Sequence, residues 1–345
     1  MKTEGVIRVL KKHILARKPI LLTGAPGVGK TDVTKVATAE VENDLIITHP
    51  VVEDPTDSKG LPWVSEDKKS AIFLPFGQLS KLLNATRPTT WLIDDIGQAS
   101  PATQAANMQW LLAREVNGHR LPDCVSIVAA TNRKQDRAGV QGLLEPVKSR
   151  FCTIVNVEPD LNQWCHWALA SGKVPAMVVA FLRFKESTKE SRLLVHAPTA
   201  DMTNSPSPRT WTNLGEEYKM EHDAEDVLEV YQGAVGSTYG NEFHGFCRLF
   251  HEIPNPDAVL LNPARAEIPD QPDILWALSS ALIARVNVSN FGRFAIYADR
   301  LMKAGKGEFS ALMLRGSIGE CPEIQHTPEF TEIAVNKAAL LFADL

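Results

Sequence analysis

Cysteine is scarce in this chain of 345 residues, and its five cysteines form no C-x-x-C pair. This spacing gives no support to a zinc ribbon or a thioredoxin-like redox motif. Cys124 and Cys152 lie within apolar, strand-like runs, so we expect reduced, buried cysteines in a cytoplasmic protein. No apolar run approaches the roughly 20 residues that a membrane-spanning helix needs, and the N-terminal stretch lacks the apolar block of a signal peptide.

An excess of positive charge is also missing. The 36 lysines and arginines are outnumbered by 41 aspartates and glutamates, which gives a net charge of −5. General binding to nucleic acid or to an acidic membrane surface depends on the opposite balance, so the composition disfavours both. With 44% hydrophobic and 22% charged residues, the sequence is typical of a globular protein of two or three domains.

A glycine-rich motif near the N-terminus is the most informative pattern in the chain. Residues 24–31 match G-x-x-x-x-G-K-[ST]; an apolar run at 20–23 precedes them and a helical pattern over 31–40 follows. Strand, glycine loop and helix in this order predict a phosphate-binding site. We expect Lys30 to reach the β- and γ-phosphates and Thr31 to offer its hydroxyl to Mg²⁺. The predicted nucleotide-binding residues are Gly24, Ala25, Pro26, Gly27, Val28, Gly29, Lys30 and Thr31.

Short apolar runs alternate with helical patterns between residues 19 and 159. Unbroken apolar runs indicate strands buried on both faces, and therefore a parallel sheet with helices on either side. The predicted strands are 20–23, 45–48, 90–93, 126–130 and 152–157. The proline- and glycine-interrupted passage 54–78 is interpreted as a surface insertion, and Asn117-Gly118 predicts a β-hairpin.

Strand patterns fade after residue 160, and helical periodicity replaces them. We expect helices over 161–185 and 224–236, and amphipathic helices around 274–282 and 330–341. Residues 187–210 are rich in serine, threonine and proline and are expected to be mostly loop. The proline-punctuated residues 254–272 are interpreted as a connector.

Polar side chains directly follow two of the predicted strands. Asp94 and Asp95 end the run at 90–93, where Asp94 is placed to hold Mg²⁺ through water and Asp95 to polarise the attacking water. Asn132 ends the run at 126–130 and can place that water or contact the γ-phosphate. An acid pair that caps a helix and a turn-forming asparagine are the alternative interpretations.

Arginines supply two further candidates. Arg150 comes just before the fifth strand, and an arginine at a subunit boundary can neutralise charge on a neighbour's γ-phosphate. Arg133 and Arg137 are alternatives for that role. Arg209, in Ser207-Pro208-Arg209 at a predicted helix start, can reach the phosphates from a lid. A solvated surface arginine is the alternative at each position.

The order of these motifs resembles the AAA+ ATPases: phosphate loop, Asp-Asp strand, Thr-Asn strand, Arg150-Phe151, then Ser-Pro-Arg. Within that class the chain resembles the MoxR group, over roughly residues 1–235. The resemblance implies Asp94 as the metal-associated acid, Asn132 as the first sensor, Arg150 as the arginine finger and Arg209 as the second sensor. It implies an α/β P-loop NTPase core at 1–160 and a helical lid at 161–235. Residues 236–345 lie beyond the resemblance, and their helical periodicity predicts a C-terminal helical region of unassigned role.

The resemblance also implies a function. ATP and Mg²⁺ would bind at subunit boundaries of a homo-oligomeric ring, most often a hexamer, that hydrolyses ATP to remodel a protein client. Such rings often act beside a partner with a von Willebrand factor A domain. One residue departs from the family pattern, because Asp95 stands where glutamate is usual; a misplacement of about 1 Å can cost on the order of 10²-fold in rate. A nucleic-acid motor or loader, and a nucleotide-gated scaffold with very slow turnover, are the alternative functions.

Overall fold

The computed structural model describes residues 1–136, 142–187, 190, 192–197, 202–249 and 253–336. The chain divides into two compact units, of which Met1–Asp160 form most of the first and the residues from Leu161 onward most of the second. The strands are β1 (Ile20–Thr23), β2 (Asp44–Thr48), β3 (Leu61–Val64), β4 (Ala71–Leu74), β5 (Thr89–Ile93), β6 (Glu115–Val116), β7 (His119–Arg120), β8 (Val125–Thr131) and β9 (Thr153–Asn156). The helices of the first unit are α1 (Thr3–Ala16), α2 (Lys30–Glu40), α3 (Pro55–Lys59), α4 (Gly77–Leu83), α5 (Pro101–Ala113) and α6 (Glu145–Lys148).

Five parallel strands form the central sheet of the first unit, in the order β2-β5-β8-β1-β9. β8 therefore lies between β1, which leads into the glycine loop, and β5, which leads into the acidic pair. All five predicted strands are present, with ends that differ by at most one residue from those read off the sequence. The predicted fold class, an α/β P-loop NTPase core with a parallel sheet as in AAA+ proteins followed by helical regions, is confirmed.

Both faces of this sheet are covered by helices, as the unbroken apolar runs predict. Leu21, Trp91 and Ile127 belong to one buried cluster and Leu22 and Val128 to another. Helices α1 and α2 contribute to the second cluster, and α5 contributes to the first. Burial on two faces holds the strands in register, so the loops at their carboxyl ends meet at one edge.

The insertion at 54–78 is more regular than its composition indicates. It contains the short helix α3 and a two-stranded antiparallel sheet of β3 and β4. The side chains of Leu61, Trp63 and Val64 on β3 are exposed, and so is most of β4. The Asn-Gly hairpin is present as β6 and β7, with Asn117 and Gly118 both at positive φ.

The second unit is helical in the part that the structure describes. Its helices are α7 (Leu161–Ser171), α8 (Ala176–Ser187), α9 (Pro208–Lys219), α10 (Val227–Val235), α11 (Ser237–Leu249), α12 (Pro256–Leu261), α13 (Pro272–Ile283), α14 (Phe291–Lys303), α15 (Gly307–Glu320) and α16 (Pro328–Asn336). One buried cluster draws on helices from α7 to α15 and includes Trp164, Phe181, Trp211 and Trp276. The boundary expected at residue 235 stays a prediction. None of the described helices combines the length and apolarity needed to cross a membrane.

Several sequence predictions for these regions are wrong in detail. The helix expected over 161–185 is two helices, because Gly172, at positive φ, and Pro175 interrupt it. The connector at 254–272 contains α12.

Cys152 is exposed and Cys124 is half-buried, whereas Cys165 is buried as expected of a reduced thiol in a core. Of the stripe expected around 330–341, the residues after 336 lie outside the described part.

Candidate functional site

The glycine loop joins β1 to α2 in a tightly constrained conformation. A Cβ atom on Gly24 would lie 2.8 Å from the carbonyl oxygen of Val157, so only glycine fits against that backbone. Gly29 is the N-cap residue of α2 and has a φ of 93°, which favours glycine. No side chain caps the first N–H groups of α2, and such groups attract anions.

Lys30, the first residue of α2, is 7% exposed and extends back across the loop. Its Nζ donates to the carbonyl oxygens of Gly24 and Ala25, each at 3.0 Å, and to Oδ1 of Asn132 at 2.7 Å. These acceptors satisfy the buried ammonium, as a buried charge requires. The lysine therefore connects the loop to the end of β8.

Asp94 connects the same helix to the end of β5. Its Oδ2 accepts a hydrogen bond from the hydroxyl of Thr31 at 2.7 Å, and its Oδ1 accepts from the N–H of Asp95 at 3.1 Å. Its own N–H donates to the carbonyl of Thr48 on β2 at 2.9 Å. Thr48 also accepts a hydrogen bond from the indole of Trp91 at 2.9 Å. Thr48 is not predictable as part of the site, since a threonine that ends a strand carries no motif.

Asp95 has a left-handed backbone conformation, with φ 57° and ψ 31°. An L-residue in that region costs about 1–2 kcal/mol, although aspartate tolerates it better than most. The Nδ2 of Asn132 donates to Oδ1 of Asp95 at 3.2 Å. Since Asn132 also accepts from Lys30, the amide links the lysine of the loop to the second acid. Strain of this kind concentrates at functional sites.

The arginine candidates differ in how they are held. The Nε and Nη2 atoms of Arg133 donate to the carboxylate of Asp136, at 2.9 and 2.8 Å, and this bonding raises the pKa of Arg133. Arg150 follows α6 and is half-buried; its Nε is buried and has no hydrogen-bond partner among the described residues. Arg137 lies outside the described residues. Arg133 is therefore held by its own chain, and the contact of Arg150 with a neighbouring subunit stays a prediction.

Arg209 belongs to the second unit, where it is the second residue of α9 and is exposed. Ser207 caps that helix and forms a reciprocal capping box with Thr210, as the Ser-Pro-Arg signal predicts for a helix start. The contact of Arg209 with a nucleotide stays a prediction. The structure thus brings together Lys30, Thr31, Asp94, Asp95 and Asn132 within the first unit.

These residues fit a magnesium-bound triphosphate. The Thr31 hydroxyl and the Asp94 carboxylate are adjacent oxygen ligands, and Mg²⁺ in phosphate sites uses one or two protein ligands together with phosphate oxygens and water. The Thr31 proton is directed at Asp94, so the lone pairs of that hydroxyl remain for a cation. Among the described residues, no group of three or more His, Cys, Asp and Glu side chains could hold a metal ion.

Comparison with known proteins gives only remote similarities. No family model matches the chain, and neither does any curated protein. The Holliday junction branch migration motor RuvB of Thermotoga maritima is 15% identical, with 88% of this chain and 87% of that chain covered and a TM-score of 0.42. NtrX from Brucella abortus, in complex with ADP, is 13% identical, with 98% of this chain and 67% of that chain covered and a TM-score of 0.39. The fold and the site therefore rest on the residues of this chain.

Proposed function

We propose that this chain is a MoxR-like AAA+ ATPase that binds and hydrolyses Mg-ATP between the subunits of a ring. The observation that carries the proposal is the linked cluster at the sheet edge. Lys30 is bonded to Asn132 and Asn132 to Asp95, while Thr31 is bonded to Asp94. A cation, two acids and an amide beside a glycine loop can bind a phosphate, hold Mg²⁺ and position a water for phosphoryl transfer.

Each residue has a separate role in this proposal. The loop amides and Lys30 bind the phosphates, and Thr31 with Asp94 would hold Mg²⁺, which supplies positive charge to the phosphate oxygens. Asp95 accepts the proton of the attacking water. Asn132 keeps the Asp95 carboxylate in place through its 3.2 Å hydrogen bond and senses the γ-phosphate as the first sensor.

The proposed catalytic set is completed by two arginines. Arg150 enters the site of the neighbouring subunit as the arginine finger; it follows α6 and is half-buried, and its terminal guanidinium nitrogens would make that contact. Where such an arginine has been removed, rates fall by roughly 10³–10⁵. Arg209 acts as the second sensor from the lid, residues 161–235. The region 236–345 remains without a proposed role.

A protein client is the proposed partner, in the cytoplasm, and a von Willebrand factor A domain protein is the expected companion. The exposed apolar side chains of β3 and β4 support this choice, with Trp63 60% exposed. Exposed apolar surface of that kind marks protein–protein contact. The net charge of −5 disfavours nucleic acid as the partner.

The proposal is tested by replacing Asp95 with asparagine, which removes the proton acceptor and keeps the shape. Nucleotide binding should remain within about two-fold while phosphate release stops, a loss of at least about 10²-fold. Asp32→Asn is the matched control, because this carboxylate is exposed on α2 and pairs only weakly with Lys35 at 3.4 Å. Undiminished phosphate release from Asp95→Asn would contradict the proposed role.

A nucleotide-gated scaffold is the second candidate, and Asp95 is the residue that favours it. Its carboxylate is one methylene shorter than the glutamate usual in the family, so the water can be out of reach. Turnover per subunit at saturating Mg-ATP separates the two functions: a scaffold assembles with ATP and releases almost no phosphate. Nucleotide-dependent sedimentation of the wild-type chain tests the ring that both require.

A further inference from the structure

Gln104 is a fully buried amide on α5 that bonds two other segments of the chain. It is 1% exposed. Its Nε2 donates to the carbonyl of Ala99 at 3.1 Å and to the carbonyl of Gly142 at 3.0 Å. Its Oε1 accepts from the N–H of Leu144 at 3.0 Å. A buried glutamine has no local sequence signal for such contacts, so these bonds are not predictable from the sequence.

Backbone chemistry fixes the orientation of this amide. The carbonyls of Ala99 and Gly142 can only accept, and the N–H of Leu144 can only donate, so exchanging the oxygen and nitrogen of Gln104 would break all three bonds. A buried, satisfied polar network holds its members in a single arrangement. Gln104 therefore fixes the positions of both segments relative to α5.

The first of these segments begins at the proposed catalytic acid. Asp95 is the N-cap residue of the 3₁₀ turn Ile96–Gln98, and Ala99 ends that turn. The N–H of Ala99 bonds to the carbonyl of Ile96 at 3.3 Å, and that of Gln98 bonds to the carbonyl of Asp95 at 2.9 Å. A displacement of Asp95 is thus transmitted to the carbonyl that Gln104 holds.

The second segment ends at the proposed arginine finger. Leu144 is the N-cap residue of α6, and its carbonyl accepts from Lys148 at 3.0 Å. The N–H of Arg150 bonds to the carbonyl of Val147 at 3.1 Å. The backbone from Leu144 to Arg150 is therefore a continuous hydrogen-bonded unit, which Gln104 anchors at its start.

We infer that Gln104 is a positioning residue that couples the acid turn of one nucleotide site to the arginine offered to the next. The inference rests on the proposed function, in which Asp95 acts within its own subunit and Arg150 acts on a neighbour. Gln104 holds the arginine segment at a fixed distance from the acid turn. A change at one site is thereby passed to the adjacent site through the hydrogen bonds of Gln104, beside the packing of both segments in one buried cluster.

Rings mixed from two variants measure separately the donation of Arg150 to a neighbour and the action of Asp95 within its own subunit. Arg150→Ala subunits keep their acid and lack the finger, while an excess of Asp95→Asn subunits supplies the finger and no acid. Phosphate release from such mixtures measures donation of the arginine alone. Adding Gln104→Met to the Asp95→Asn donor removes the three hydrogen bonds at nearly constant volume and should lower the rate by roughly 10- to 100-fold.

The effect of Gln104 on Asp95 is measured by moving Gln104→Met from the arginine donor to the subunit that carries Asp95. Arg150→Ala/Gln104→Met acceptors are mixed with Asp95→Asn donors, and the loss should stay within about three-fold, because Asn132 also holds Asp95 at 3.2 Å. Asn107→Leu is the matched control in both arms. Asn107 is a buried amide of the same helix whose side chain bonds to the carbonyl of Thr103 in that helix, at 3.0 Å. It should change neither rate by more than about two-fold.

The outcomes distinguish the inference from the proposed function. If Asp95→Asn donors fail to activate Arg150→Ala subunits at all, then Arg150 does not act on a neighbouring subunit. In that case the proposed function and the inferred role of Gln104 are both wrong. If they activate and the Gln104→Met donors do so equally well, only the role of Gln104 is wrong. If Gln104→Met lowers phosphate release equally in donor and acceptor, and Asn107→Leu lowers it by the same amount, then Gln104 only stabilises the fold.

A second variant covers the case in which Gln104→Met does not fold. Gln104→Glu keeps the acceptor for Leu144 and the shape of the side chain, but a carboxyl group has at most one O–H and cannot donate to both Ala99 and Gly142. The same loss of arginine donation is expected from it at pH 8. Full donation by a folded Gln104→Glu donor would overturn the inference.

Discussion

Gly24 is the residue of the loop with the least room for a side chain. A Cβ atom there would meet a backbone carbonyl at 2.8 Å, and backbone cannot rotate away as a side chain can. We expect Gly24→Ala to lower the free energy of unfolding by about 1–3 kcal/mol, the usual cost of overpacking. Because the loop must shift, binding of an ATP analogue should weaken as well. Thermal denaturation and titration with the analogue measure the two effects.

Gly245 provides the contrasting control. It lies within α11, where a Cβ atom would have no heavy atom within 4 Å. Gly245→Ala should therefore stabilise the protein by up to about 1 kcal/mol through helix propensity. If Gly24→Ala were equally harmless, the tight approach of the loop to Val157 would not be a requirement of the fold.

The length of the second acid gives another prediction at this scale. Asp95→Glu adds one methylene to the proposed proton acceptor, so we expect turnover to rise, by up to about 100-fold if reach limits the rate. The same change at Asp94 should lower turnover, because both oxygens of that carboxylate are already engaged at 2.7 and 3.1 Å. Steady-state phosphate release measures both. A slower Asp95→Glu enzyme would show that the site is built for aspartate.

At the scale of elements, the two hairpins of the first unit are bonded to each other. The Nε2 of His119 on β7 donates to the carbonyl of Phe73 on β4 at 2.6 Å. Asn117, in the turn between β6 and β7, also donates to the carbonyl of Lys59, the last residue of α3, at 3.1 Å. The exposed sheet of β3 and β4 has little core of its own. Its order therefore depends on these contacts with the shorter hairpin.

Removing the histidine should loosen that sheet. His119→Ala deletes a hydrogen bond worth about 1 kcal/mol, so amides of β3 and β4 should exchange with deuterium roughly five-fold faster. Exchange in β5 and β8 should not change. Arg120→Ala is the neighbouring control, since Arg120 is exposed and lies 3.9 Å from Asp123. Unchanged exchange in β3 and β4 would mean that the hairpin is held by other contacts.

The elements also show where sequence reasoning succeeds and fails. The central strands are predictable because burial on both faces demands unbroken apolar runs such as 20–23. β3 and β4 are missed because their side chains are mostly exposed and impose no alternation. The order of motifs predicts that Lys30, Asp94 and Asn132 meet at one sheet edge. The left-handed Asp95 and the bonds of Gln104 are not predictable, because backbone geometry and long-range backbone contacts leave no pattern in the sequence.

At the scale of the whole molecule, the titratable phenols lie in the helical unit. All four tyrosines of the chain fall after residue 160. Burial raises the pKa of Tyr239 and of Tyr297 to about 12, and the pKa of Cys247 to about 12. The pKa values of Tyr218 and Tyr231 are raised as well, also by burial.

These shifts predict alkaline unfolding of the second unit. A raised pKa in the folded state means that folding favours the neutral form of these tyrosines and of Cys247. Their contribution to stability is therefore fully present below the pKa values that these groups have in the unfolded chain, near 8.5 to 10. It is lost as the pH rises from about 9 to about 12. Tyrosinate absorbance near 295 nm should therefore appear together with loss of helical circular dichroism. Tyrosinate that forms near pH 10 in a fully helical protein would contradict the prediction.

Trp91 gives the protein an intrinsic optical reporter. Its ring is 3% exposed, its indole bonds to Thr48, and the carbonyl of Thr48 accepts from Asp94. It also lies edge-on to Trp110, with ring centroids 6.3 Å apart. Because Trp91 is linked to Asp94 by two hydrogen bonds through Thr48, we expect its emission to change when nucleotide binds. Titration with nucleotide should therefore change the native fluorescence, to which all seven tryptophans of the chain contribute.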